Sequence, residues 1–95
     1  MKVMMYQHFD VHGSIRSMKK EIDIPFAPFP GLVIYDPDSD SGKPKGQSDY
    51  EYVIECVYYS PFDGEVAVSN NLVCKNEAER KSWMRPWKKA LWEET

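Results

Sequence analysis

Over the first quarter of the chain, hydrophobic and polar positions alternate. Val3, Met5, Phe9 and Val11 are interleaved with Lys2, His8, Asp10 and His12, the period-two pattern of a strand with one buried face. Gln7 interrupts the apolar side, and Tyr6 softens the polar one. His12-Gly13-Ser14 predicts a turn, with glycine free to take positive φ. A second strand is predicted from about Ile15 to Ile24. Met18, Ile22 and Ile24 look inward, Ser17, Lys19, Glu21 and Asp23 look outward, and Lys20 falls on the inward side. The pair predicts a β-hairpin.

The longest run of β-branched and aromatic residues is Tyr50–Ser60, with a return arm at Glu65–Ser69 and a turn at Ser60-Pro61-Phe62-Asp63-Gly64. Alternation places Tyr50, Tyr52, Ile54, Cys56 and Tyr58 on one face, the better core candidate. Glu51, Val53, Glu55, Val57 and Tyr59 share the other, half-charged face. Before this hairpin, Pro25–Gly31 contains three prolines and is expected to run extended over the sheet, because proline lacks a donor and fixes φ. Leu32–Tyr35 reads as a short central strand. The Asp-, Ser-, Gly- and Pro-rich stretch from Asp36 to about Asp49 reads as a loop.

The last element is a predicted helix. Asn76 and Glu79 have the spacing of a capping pair. Trp83, Met84, Trp87, Ala90 and Leu91 fall within about 120° of one another on a helical wheel, an apolar stripe facing the core. Lys81, Arg85, Lys88, Lys89 and Trp92 lie opposite. Pro86 is expected to kink or split the helix, because it removes a backbone donor. The predicted fold is α+β: a single domain over residues 1–95, an antiparallel sheet of about five strands, and one C-terminal helix packed on one face.

Composition changes this picture in two ways. Thirteen aromatics within 95 residues suffice for one modest core without metal or disulfide support. The net charge of −3 is uneven: +3 over residues 1–20, −8 over 21–65 and +2 over 66–95. A general nucleic-acid binder is normally basic overall, so only a local basic site is compatible. No apolar run has membrane-spanning length, and the N-terminus lacks the apolar core of a signal peptide. Cys56 and Cys74 lack metal or redox spacing and are expected as reduced thiols, Cys56 buried mid-strand, in a cytoplasmic protein.

Candidate chemistry is sparse. His8, Asp10 and His12 share one strand face and have a metal-ligand composition. Along a flat strand the outer histidines stand about 13 Å apart, near the limit for sharing an ion. Asp36, Asp38 and Asp40 begin like a calcium loop, but Ser41 and Gln47 stand where that motif needs Gly and Glu. Pro25-Phe26-Ala27-Pro28 matches the spacing of polyproline ligands without their basic flank. No nucleophile elbow or phosphate-binding glycine loop is present in the sequence, and no cofactor is expected.

These features predict a non-enzymatic binding module, an inhibitor, adaptor or regulatory subunit, that acts by protein–protein contact. The expected contact residues are Lys81, Arg85, Lys88, Lys89 and Trp92 on the helix. Val53, Val57 and Tyr59 on the second strand face suit a partner or a second copy of the chain. The alternatives are a metal site at His8, Asp10 and His12, and a nucleic-acid contact through the basic helix face.

Overall fold

A computed structural model describes residues 1–35 and 51–95. The strands are β1 (Lys2–Val11), β2 (Ser14–Asp23), β3 (Val33–Tyr35), β4 (Glu51–Val53), β5 (Cys56–Tyr59), β6 (Val66–Val73) and β7 (Glu93–Glu94), with one helix, α1 (Glu77–Lys89), among the described residues. Five strands form a sheet in the order β5-β6-β1-β2-β7, while β3 and β4 form a separate antiparallel pair. The chain is therefore α+β. No helix among the described residues is long and apolar enough to cross a membrane. The predicted calcium-like loop at Asp36, Asp38 and Asp40 lies outside the described residues, as does Tyr50.

The predicted first hairpin forms, with Val11 paired to Ser14 across a two-residue turn. Both turn residues, His12 (φ 48°) and Gly13 (φ 87°), take the left-handed region, the geometry that matches the twist of a tight hairpin. Val3, Met5, Gln7 and Phe9 are buried on one face of β1, as the alternation requires. Gln7 is accommodated there because its amide donates to the carbonyls of His8 and Asn70 and to Asn70 Oδ1. Lys20, also on the inward side, donates from Nζ to the carbonyl of Ala90 at 2.9 Å, the C-cap of α1. A cation at that helix end complements its dipole.

Three expectations about the sheet are corrected. Leu32–Tyr35 does not supply a central strand, because β3 pairs with β4 in the separate two-stranded sheet. The five-stranded sheet is not wholly antiparallel, because β6 runs parallel to β1 in the register Met5↔Val68 and Phe9↔Leu72. The predicted strand over Tyr50–Ser60 is also broken at Ile54–Glu55. Ile54 belongs to the smaller sheet: its amide donates to Leu32 O at 2.9 Å, and its carbonyl accepts from Gly31 N at 2.7 Å. Glu55 N donates to Ser69 O, while Cys56 is the residue paired with Ser69, so two residues address one partner. That extra residue shifts the strand by one position and exchanges its faces. Tyr52 and Ile54 are buried as predicted, but Cys56 and Tyr58 are exposed, and Val57 instead lies opposite the buried Val68.

The core gathers Val3, Met5, Phe9, Met18, Val68, Tyr52 and Ile54 with Met84, Trp87, Ala90 and Trp92. Trp87 meets the ring of Phe9 edge-on at 6.2 Å, and Tyr52 approaches both Trp87 and Trp92. The Tyr52 hydroxyl donates to Tyr6 O at 2.7 Å, so its buried polar end is satisfied. Asn76 caps α1 as predicted, its side-chain oxygen accepting from Glu79 N at 2.9 Å. The helix continues through Pro86 as one element. Of the predicted apolar stripe, Met84, Trp87 and Ala90 are buried, whereas Trp83 and Leu91 are exposed.

The helix ends in a Schellman turn. Trp92 N donates to Trp87 O, Leu91 N donates to Lys88 O, and Leu91 takes φ 69° between them. This reversal removes Trp92 from the predicted cationic face. Its indole turns inward to 4% exposure and meets Trp87 edge-on at 4.7 Å, the hydrophobic contact that accompanies such turns. The chain then returns along β2 as β7.

Candidate anion-binding recess

Arg16 faces Phe9 in the β1–β2 register, so it projects from the core side of β2. On α1, Lys81, Arg85 and Lys88 follow the i, i+4, i+7 spacing that puts side chains on one helical face. Together with the buried Met84, these four cationic residues line a recess of about 270 Å³. Its cations are long and outward-reaching, and its Met84 lining is apolar and polarisable.

Carboxylates fix one wall. Arg16 Nε and Nη2 donate to the two oxygens of Glu94, each at 2.8 Å, a bidentate fork. Arg16 Nη1 donates to Glu77 at 3.0 Å, and Lys88 Nζ stands 3.4 Å from Glu94 Oε1. Glu77 also pairs with Arg80, which is 4% exposed and donates from Nη1 to the carbonyls of Phe9 and Ser14. Arg80, Glu77, Arg16, Glu94 and Lys88 thus alternate in sign along one network. Hydrogen bonding from Arg16 holds the Glu94 carboxyl below its ordinary range, and Arg80 followed by Arg16 does the same for Glu77. The guanidinium of Arg16 is correspondingly raised, chiefly by Glu94. Among the described residues, no carboxylate lies within ion-pair distance of Lys81 or Arg85. Cations therefore outnumber carboxylates around the recess.

The predicted contact residues separate into two groups. Lys81, Arg85 and Lys88 come together in the recess, and Lys89 is exposed at the helix end without lining it. Trp92 is buried and presents no open surface there. Val57 and Tyr59 are exposed on β5, at the opposite edge of the five-stranded sheet from β7, and Val53 is exposed on β4. Arg16 was not among the predicted contact residues, because strand parity alone makes it an inward-side cation rather than a neighbour of the helix. A signal existed in Lys20, a second inward cation four residues further along the same strand.

The predicted metal-ligand residues are engaged elsewhere. His8 Nδ1 lies 2.6 Å from Ser17 Oγ, and its ring stacks with Tyr6. Asp10 accepts from Gly13 N at 2.8 Å within the turn, and His12 occupies the turn itself. No group of three His, Cys, Asp or Glu side chains among the described residues is arranged to hold a metal ion. In comparisons with known proteins, no family model, curated protein or solved structure matches this chain.

Proposed function

We propose that the protein is a non-catalytic binding module that grips an acidic segment of a protein partner in the recess between β2 and α1. The observation that carries this proposal is the convergence of Arg16, Lys81, Arg85 and Lys88 on one recess beside Met84. Cations draw an acidic segment in, and the aliphatic stems of the lysines and arginines offer it apolar contact. In this proposal α1 rests on the sheet face that carries Phe9 and supplies one wall of the site. Glu77 and Glu94 favour a peptide over nucleic acid. A continuous phosphate backbone meets repulsion from both, whereas a peptide carries its carboxylates at separated positions. Val53, Val57 and Tyr59 stay outside the site, since they lie on other strands.

Binding of a fluorescent Glu-rich peptide, followed by anisotropy, tests this function. Exposed ion pairs contribute about 0.2–1 kcal/mol each, so replacing Lys81, Arg85 and Lys88 together by Ala lowers affinity about tenfold. A triple variant that is folded and binds as tightly as the native chain would refute the assignment.

A further inference from the structure

We infer that the partner gripped by the recess is a second copy of this chain, whose turn at residues 60–65 inserts Phe62 among Lys81, Arg85 and Lys88. This rests on the assignment of the recess as the binding site.

The turn joins β5 to β6, and hydrogen bonds within it fix its shape. Ser60 N donates to Glu65 O, Gly64 N to Ser60 O and Glu65 N to Asp63 Oδ1, each at 2.9 Å. Gly64 takes φ 71°, which glycine adopts without strain. Phe62 stands on this frame 99% exposed, so its ring packs on nothing in its own molecule. Tyr58 and Tyr59, which precede it on β5, are exposed as well. A large aromatic held out on an ordered turn has the form of an interface anchor, with little freedom left to lose on docking.

Charge selects what the anchor enters. Asp63 and Glu65 follow the ring and are exposed. The Glu65 amide holds the Asp63 carboxyl below its ordinary range, so it is ionised near neutrality. Among the described residues, no cation stands within ion-pair distance of Asp63 or Glu65. An apolar ring beside two such carboxylates fits a receptor that combines cations with apolar surface. The recess combines them: Lys81 and Arg85 supply charge, their stems supply apolar contact, and a guanidinium or ammonium attracts the face of an aromatic ring. Its volume of about 270 Å³ lies just below that of small-molecule sites and suits a single side chain.

Topology makes the contact intermolecular. The turn leads into Val66, which pairs with Val3, whereas Arg16 faces Phe9, six residues further along β1. Six residues of strand span about 20 Å. The turn and the recess also lie on opposite sides of β1 in the sheet, with β5 and β6 to one side and β2 to the other. A turn fixed at that distance by a paired hairpin does not fill its own recess. The turn of one copy therefore meets the recess of the next, a head-to-tail contact that continues as a chain or closes as a ring. One anchor and its flanks bury a small area, so each contact is weak.

Sedimentation velocity of the native chain between about 10 μM and 1 mM, where weak contacts become populated, tests the pairing. The sedimentation coefficient is expected to rise with concentration and to fall back on adding salt. Phe62→Ser, which removes no packing from the fold, and the Lys81, Arg85 and Lys88 triple alanine variant are each expected to stay monomeric, with circular dichroism establishing that both are folded. Mixed in equal amounts, the two variants form a heterodimer and nothing larger, because one carries the intact recess and the other the intact turn. Association that survives in either variant alone, or a mixture that sediments like its separate components, refutes the inference. If the native chain stays monomeric throughout yet binds a Glu-rich peptide, the second copy is refuted while the recess assignment stands. If it neither associates nor binds the peptide, both fail.

Discussion

Leu91 takes φ 69° at the turn that ends α1, a conformation that costs a residue bearing a Cβ about 1–2 kcal/mol and costs glycine little. Its side chain is 67% exposed, so little packing offsets that strain. Leu91→Gly is therefore expected to stabilise the protein by about 1 kcal/mol in chemical denaturation, despite the loss of a large apolar side chain. Arg80 has the opposite character. Its guanidinium is buried, and joins the N-terminal turn of α1 to the carbonyls of Phe9 and Ser14. Arg80→Met keeps the length and much of the packing but removes every one of these donors. It is expected to cost about 2–4 kcal/mol, read by the same denaturation experiment. Single residues also mark where sequence patterns lose their authority. Gln7 and Lys20 break the inward alternation, and both reach acceptors distant in sequence, Gln7 on Asn70 and Lys20 on Ala90. Alternation alone carries no information about such partners.

At the scale of elements, local patterns served well where one hairpin or one cap decided the outcome. The β1–β2 hairpin, its turn and the Asn76 cap all follow from neighbouring residues. The break at Ile54–Glu55 has no Gly or Pro to announce it. It is made by Leu32, Gly31 and Ser69, contacts a periodicity cannot encode. The parallel β1–β6 pair was equally hidden, since alternation identifies a strand and its faces but not the direction of its neighbour. The helical wheel failed beyond Ala90 for a plain reason: the Schellman turn ends the helix, so Leu91 and Trp92 no longer obey its phase.

The β2–β7 junction makes a pH prediction at this same scale. Glu94, with its depressed carboxyl, contributes stability that is fully present above its ordinary value of 4.5 and is lost as pH falls through the lower folded-state value. Melting temperature should thus decline on the acid side, steepening below that point. Glu94→Gln should be less stable near neutrality and show a shallower acid decline. An unchanged acid slope in the variant would mean that the Arg16 fork does not couple to folding.

The recess is a property of the whole molecule. No stretch of sequence contains it, because Arg16 and the helix cations come together only when α1 meets the hairpin. The basic character of the two chain ends and the cationic helix face were visible beforehand, and three of the recess residues follow directly from that face. The missing part was Arg16 and the carboxylates that hold it, since their pairing depends on the helix and on the returning strand β7. The split of the predicted contact residues between two sheet edges has the same origin. Charge along the chain gives a sign, and folding decides which charges share a surface.

The most direct measurement is the affinity of a Glu-rich peptide for the native chain across ionic strength, beside the Lys81, Arg85 and Lys88 triple alanine variant. At about 0.1 M salt the screening length is about 10 Å, so contacts carried by exposed cations weaken as salt rises. The native chain should bind with an affinity that falls steadily with salt, and the triple variant should bind about tenfold more weakly at low salt with a flatter dependence. Equal affinity and equal salt dependence in the two proteins would contradict the recess as the site of recognition.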